Sequence, residues 1–269
     1  GQLHPVTADN AYAPHCVSVQ RLADQANRFG AYASFMDENI WIGSPLRVHR
    51  RCHEPMFSLA NRIAYDNKMV YGLRNRAPLA DPLIDLASGW VDIRGAVERK
   101  QSVPEQIEFM TKVIVSLFQR DRALPELYVI SPFKAIRQAM REQIMQVEWQ
   151  YPAPKRDELK HWVKRSIGTV HTFQGKEEKT VFMILGADPE IAGGAQWASS
   201  KPNLINVALT RAQHCVYLVG DVELWGTLPY FKEACRGETN LPRWKRGDFA
   251  VIAQKVKSDK SGSKTPALE

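Results

Sequence analysis

Apolar residues recur along this chain with two periods, and the alternation between them predicts the fold. At spacings of three and four, Val19, Leu22, Ala23 and Ala26 predict a first helix with Gly30 as its stop. Met56, Leu59, Ala60, Ile63 and Ala64 predict a second, started at Pro55. Ile107, Met110, Ile114 and Leu117 predict a third, opened by Ser102-Val103-Pro104-Glu105, which has the form of a capping box with proline in the first turn. Ile136, Met140 and Ile144 predict a fourth. Between these lie apolar runs too short for helices, at residues 90–93, 127–130, 181–185 and 216–219. A continuous apolar run suits a strand buried on both faces. Strands alternating with helices therefore predict an α/β fold with a mostly parallel sheet covered by helices on both faces. Ligands of such sheets collect beyond the strand C-termini, where the pattern puts Ser131, residues 169–174 and Asp221.

Composition narrows the class. With 269 residues, 44% of them hydrophobic, the chain can bury a large core and is not a disordered polymer. A formal charge of +7 favours a polyanionic partner. Cys16, Cys52, Cys215 and Cys235 have no paired spacing, which argues against a disulfide framework or a CxxC metal site and for a reducing compartment. No apolar run is long enough to span a membrane and no leader opens the chain, so a soluble, intracellular (cytoplasmic) protein is expected. A start without Met suggests a fragment of a longer protein. Residues 239–269 are expected to form a basic, flexible extension.

Candidate chemistry lies mainly in residues 166–221. In the predicted helix 203–213, Asn203, Asn206, Thr210 and Gln213 form a polar stripe, whereas Arg211 falls on the apolar side with Leu204 and Val207. A buried guanidinium needs either a carboxylate of its own chain or an anionic ligand such as phosphate. Upstream, Gln174-Gly175 follows a strand and offers a residue without Cβ where backbone can approach a ligand, with Glu177 nearby as an acceptor for hydroxyls. Arg51 precedes the second helix and, taken alone, reads as part of a basic surface pair with Arg50. His49, Cys52 and His53 carry metal-ligand atoms, but no second cluster completes a site, so no metal is expected there. Residues 149–165 interleave Trp149, Tyr151 and Trp162 with Lys155, Arg156, Lys160, Lys164 and Arg165. That mixture fits nucleic-acid contact and, equally, a solvated amphipathic helix anchored by tryptophan.

Thr169-Val170-His171-Thr172-Phe173-Gln174-Gly175-Lys176-Glu177 resembles motif V of superfamily 1 helicases, and Asn206-Val207-Ala208-Leu209-Thr210-Arg211-Ala212 resembles motif VI. The similarity is to the branch of RNA-surveillance and DNA-replication helicases that move five-prime to three-prime. Weaker matches keep the order: Gln2-Leu3-His4-Pro5-Val6 to the end of motif III, residues 49–55 to the Tyr-Arg-Met element, and Val129-Ile130-Ser131-Pro132-Phe133 to motif IV. The resemblance implies a RecA-like, P-loop-NTPase-type second motor domain at residues 45–238, with residues 1–44 left from the first. It implies that Arg211 and Arg51 act as arginine fingers on ATP and that Gln2 senses the same phosphate. Gln174, Gly175 and Glu177 would line the nucleotide cleft, and Ser131, Thr169 and His171 would touch single-stranded DNA or RNA. The chain contains no GxxxxGK[ST] loop, so ATP and Mg2+ would be held mainly by the N-terminal RecA-like domain of the same parent. His49-Arg50 stands where the family has Gln-Tyr and Cys52 where it has Met; alignment on Glu54-Pro55 assigns the finger to Arg51. The alternative expectation is a helicase-like module that binds nucleic acid or a partner without catalysis.

Overall fold

The computed structural model describes residues 19–27, 30–35, 38–43, 47–74, 80–237, 240–250 and 252. The chain divides into two compact units, Gly1–Val48 and His49–Glu269. Within the first, α1 (Val19–Ala26) precedes an antiparallel hairpin of β1 (Ala31–Phe35) and β2 (Glu38–Ile42). Asp24 ties these together: its carbonyl accepts the Trp41 indole N–H at 3.1 Å and its carboxylate accepts Gly43 N–H at 3.1 Å. Gln2 and the rest of the motif III-like segment lie outside the described residues.

The second unit follows the predicted alternation. After the short strand β3 (Val48–His49) come α2 (Met56–Ala64), β4 (Val70–Tyr71), β5 (Gly89–Asp92), α3 (Pro104–Asp121), β6 (Tyr128–Ser131), α4 (Lys134–Gln146) and α5 (Arg156–Ser166). Next stand β7 (Ile167–Thr169), a 3-10 turn (Val170–Phe173), β8 (Glu178–Ile184), α6 (Gly193–Ala198), α7 (Asn203–Arg211) and β9 (Ala212–Gly220). The chain continues through α8 (Val222–Trp225), α9 (Phe231–Arg236), β10 (Arg243–Trp244) and a 3-10 turn at Arg246–Ala250. Six strands pair in parallel in the order β10-β5-β9-β8-β6-β7. Successive side chains of a strand point to opposite faces, and Thr180–Ile184 and Cys215–Gly220 are buried without interruption. The centre of the sheet is therefore covered on both faces, as a parallel sheet requires. No helix among the described residues is long and apolar enough to cross a membrane.

Four local expectations change. The Ser102–Glu105 capping box does not form: Val103 takes the N-cap position without a side-chain bond, and Pro104 begins the helix. Ser102 instead donates its N–H to Arg99 O at 2.9 Å, one residue too early to cap. Trp162, in α5, is core, its indole donating to Pro125 O at 2.8 Å, so the anchored-helix reading holds for it; Trp149 lies in the connection before α5 and packs edge-on against Phe118, while Tyr151 is 96% exposed. Residues 240–250 are folded into the unit. Arg243 and Trp244 extend the sheet beside β5, and Phe249 packs edge-on against Phe109 at 5.0 Å and against Tyr217 at 5.6 Å. Finally, β9 begins at Ala212 rather than at residue 216, so Gln213 belongs to a strand instead of to the helix that carries Arg211.

Candidate functional site

A helix running into a strand without a loop sets the geometry of the site. Arg211 is the last residue of α7 and Ala212 the first of β9, and Ala212 pairs with Glu178, the first residue of β8. Arg211 thus sits at the N-terminal ends of the two central strands. The loop before β8 arrives at the same place, because its carbonyls receive the Arg211 guanidinium: Nη1 donates to Lys176 O at 2.9 Å and to Phe173 O at 3.5 Å. Arg51 is brought in from the segment before α2 by a backbone bond from His53 N to Gln213 O at 3.0 Å. Glu177 closes the cluster, with one oxygen 3.5 Å from Arg51 Nε and the other accepting from Gln213 Nε2 at 2.8 Å.

Two guanidiniums therefore face one carboxylate. Arg211 is 6% exposed, forms no salt bridge among the described residues, and keeps its Nε buried with no hydrogen-bond partner among them. Burial first and the Arg51 charge second pull its pKa below the usual arginine value, with Glu177 opposing. Of the two alternatives for a buried arginine, the internal carboxylate pair is not formed. The donor set has the composition of a phosphate site: excess positive charge, planar donors and an unpaired N–H. No group of three or more His, Cys, Asp and Glu residues that could hold a metal ion occurs among the described residues.

Gln174 and Gly175 border this cluster and are exposed. Gly175 has φ of +83° and open space where a Cβ would lie, so glycine is required there by conformation, with no crowding involved. One expectation is corrected. Gln174 does not follow a strand directly, since the 3-10 turn at Val170–Phe173 intervenes between β7 and Gln174. Gln174 to Glu177 and both arginines consequently lie at the N-terminal edge of β8 and β9, not beyond strand C-termini.

Ser131 and Thr169, the last residues of β6 and β7, are register partners at the opposite edge. Ser131 is level with Ile184, six residues beyond Glu178, so the two edges are about 20 Å apart at a strand rise of roughly 3.3 Å. Both side chains are buried and serve the local backbone. Ser131 Oγ accepts Phe133 N–H at 3.2 Å, and Thr169 forms a reciprocal capping box with Thr172. His171, two residues on, is exposed. Asp221 caps α8, accepting from Glu223 N at 2.8 Å, and pairs with Arg94 at 3.6 Å, which makes it structural.

Sequence reasoning missed Gln213 as the residue that holds Glu177, and Tyr65, whose hydroxyl accepts from Asn206 Nδ2 at 3.3 Å. Arg137 was also missed; it is half-buried one turn into α4, and its Nε is buried and unpaired among the described residues.

A mostly parallel α/β sheet with the Arg211–Arg51 pair and Gln174 to Glu177 at one edge, and Ser131 and Thr169 at the other, is the frame of a helicase-like domain. The chain belongs to the AAA domain family, whose family model matches residues 32–223. It is similar to the mouse (Mus musculus) 5'-3' DNA helicase ZGRF1, at 26% identity over 219 residues; the match covers 76% of this chain and 11% of that protein's length. Among solved structures, it is similar to the C-terminal domain of a possible DNA helicase from Lactobacillus plantarun WCFS1. That match has a TM-score of 0.40 and 10% identity, and covers 73% of this chain and 98% of that one. It is also similar to Arterivirus nonstructural protein 10 (helicase), with a TM-score of 0.28 and 14% identity, covering 65% and 25% of the respective chains.

Proposed function

We propose that this chain is the second motor domain of an ATP-dependent superfamily 1 helicase, and that Arg211 and Arg51 are its arginine fingers. The observation that carries this reading is the buried Arg211 guanidinium, left without a carboxylate beside a second arginine. An adjoining RecA-like domain would present the triphosphate and its Mg2+ to this edge. The two arginines would then meet the charge that develops on the γ-phosphate, an effect worth about 10³- to 10⁵-fold in rate. Glu177, released from Arg51, and Gly175 with Gln174 would line the nucleotide side of the cleft.

The opposite edge, with Ser131, Thr169 and His171, would hold single-stranded nucleic acid through its backbone, without sequence preference. Opening and closing of the cleft would move that grip along the strand. Similarity to a 5'-3' DNA helicase supports DNA as the track, and competition between ribose and deoxyribose oligomers on the full-length parent tests it. In that parent, Arg211→Ala is expected to lower ATP turnover by at least about 10³-fold while single-strand affinity stays near wild type. Equal loss of both, or loss of neither, contradicts the finger role. The 269-residue chain by itself is expected not to turn over ATP.

A further inference from the structure

The track edge raises a difficulty of its own: Ser131 and Thr169 are buried and committed to local turns, so they offer little surface to a ligand. Near Ser131 stands a largely exposed aromatic, Trp197. Trp41, Trp90, Trp162, Trp225 and Trp244 each donate their indole N–H to a backbone carbonyl, and Trp149 keeps its indole nitrogen buried without a partner among the described residues. Trp197 makes no such bond among the described residues and is 57% exposed. It is nevertheless held firmly. Its ring lies 6.1 Å from that of Phe133, two residues after Ser131, and Ser199 and Ser200 donate to the carbonyls of Gln196 and Trp197 at 3.1 and 2.8 Å. A Cβ on Gly194 would approach Gln101 Cγ to 2.8 Å and Phe133 Cε1 to 3.4 Å, so α6 is pressed against this edge.

Basic residues lie near Phe133 and Trp197 along the chain, with Glu190, beside Ile191, as an exposed acid of the same connection. Lys134 follows Phe133 directly, Lys201 lies four residues beyond Trp197, and both are exposed. Arg137 stands one turn into α4, its N–H bonded to Phe133 O at 3.2 Å and its Nε buried without a partner among the described residues. Ile191, in the same connection as Trp197, is also half exposed. Exposed aromatic surface flanked by cations is the chemistry of a single-strand site, where bases stack and phosphates are neutralised.

We propose that Trp197 is a base-stacking platform for single-stranded nucleic acid, with Arg137 and Lys134 gripping the adjacent phosphates. The proposal rests on the nucleic-acid reading above and adds base contact to a grip otherwise made through the backbone. The test is fluorescence anisotropy of the 269-residue chain at low salt with labelled oligothymidine about twelve nucleotides long and with an abasic oligomer of equal length. Trp197→Ala should weaken oligothymidine binding by about five- to a hundred-fold and leave abasic binding unchanged. Trp197→Phe should restore most of the affinity. Arg137→Gln should weaken both oligomers and lower the salt slope by about one. Wild-type binding of oligothymidine with no loss in Trp197→Ala, or equal loss on both oligomers, overturns the platform while leaving the nucleic-acid reading intact. Failure of the wild type to bind either oligomer overturns both.

Discussion

Replacing Arg211 by Met separates an arginine kept for a ligand from one kept for the fold. Of the Arg211 contacts, only that to Lys176 O at 2.9 Å has good length; those to Phe173 O and Thr210 Oγ1 are 3.5 and 3.4 Å. Losing one charge-assisted bond costs about 1.5–3 kcal/mol. The low end applies here, because Lys176 is exposed and its carbonyl can take water, while Phe173 O keeps its bond from Lys176 N. Against that loss, the substitution removes a buried unpaired N–H, worth about 1–3 kcal/mol, and relieves the repulsion from Arg51. Met preserves the unbranched stem in its apolar surroundings. The terms nearly cancel, so stability should change by no more than about 1 kcal/mol, or about 2–4 °C in Tm for a domain of this size. Urea unfolding of the isolated chain with calorimetry measures it. Breaking a buried ion pair typically costs about 3–5 kcal/mol; a loss of that size would mean that Arg211 holds the fold together and is not kept for a ligand.

Three further outcomes are expected. Gly175→Ala should destabilise by about 1–2 kcal/mol through backbone strain alone, since φ is +83° and no atom crowds the new Cβ, and Gly175→Asn should cost less; equal costs for the two would remove the conformational argument. Glu177→Gln should change stability by less than about 1 kcal/mol, because both members of the Arg51 pair are about half exposed, yet should tighten binding of inorganic triphosphate; weaker binding would contradict the charge balance drawn for the site. His49 has its pKa lowered by burial and then by Arg51, and its Nε2 accepts Cys52 N–H at 3.2 Å, a bond that needs the neutral ring. The unfolded chain therefore binds more protons here than the folded one, and the His49 contribution is full above the ordinary value of 6.5 and lost as pH falls through and below it. His49→Gln, which keeps an acceptor, should flatten that part of the stability profile, and an unchanged profile would exclude His49 as its source.

Much of the fold could be read from periodicity because its elements are separated by clear breaks. Met56 to Ile63, Ile107 to Leu117 and Ile136 to Ile144 are the buried faces of α2, α3 and α4. Where a break was missing, the reading failed. The helix-to-strand change at Arg211–Ala212 has no glycine or proline to mark it, so the pattern extends the helix to Gln213. Long-range pairing was equally hidden: Thr180 donates to the buried Asp81 at 2.6 Å across 99 residues, and no local pattern announces it. The site was legible where cost was the signal. An arginine on an apolar helix face predicted a buried guanidinium, and Arg211 is one. Which sheet edge it occupied was not legible, because the return of the chain from Thr169 to Glu178 carries no periodic signal. Ser131 and Thr169 were recognisable as positions, but their burial follows from capping bonds that spacing alone does not reveal.

In the proposed mechanism the Arg211 and Arg51 guanidiniums receive a phosphate supplied by an adjoining domain. A crystal structure of the full-length parent with ADP and aluminium fluoride tests it most directly. Guanidinium nitrogens of both arginines should lie about 3 Å from the fluoride ligands, with the Arg51–Glu177 pair opened. Arg211 still bonded only to Lys176 O, with neither arginine reaching the nucleotide, would contradict it.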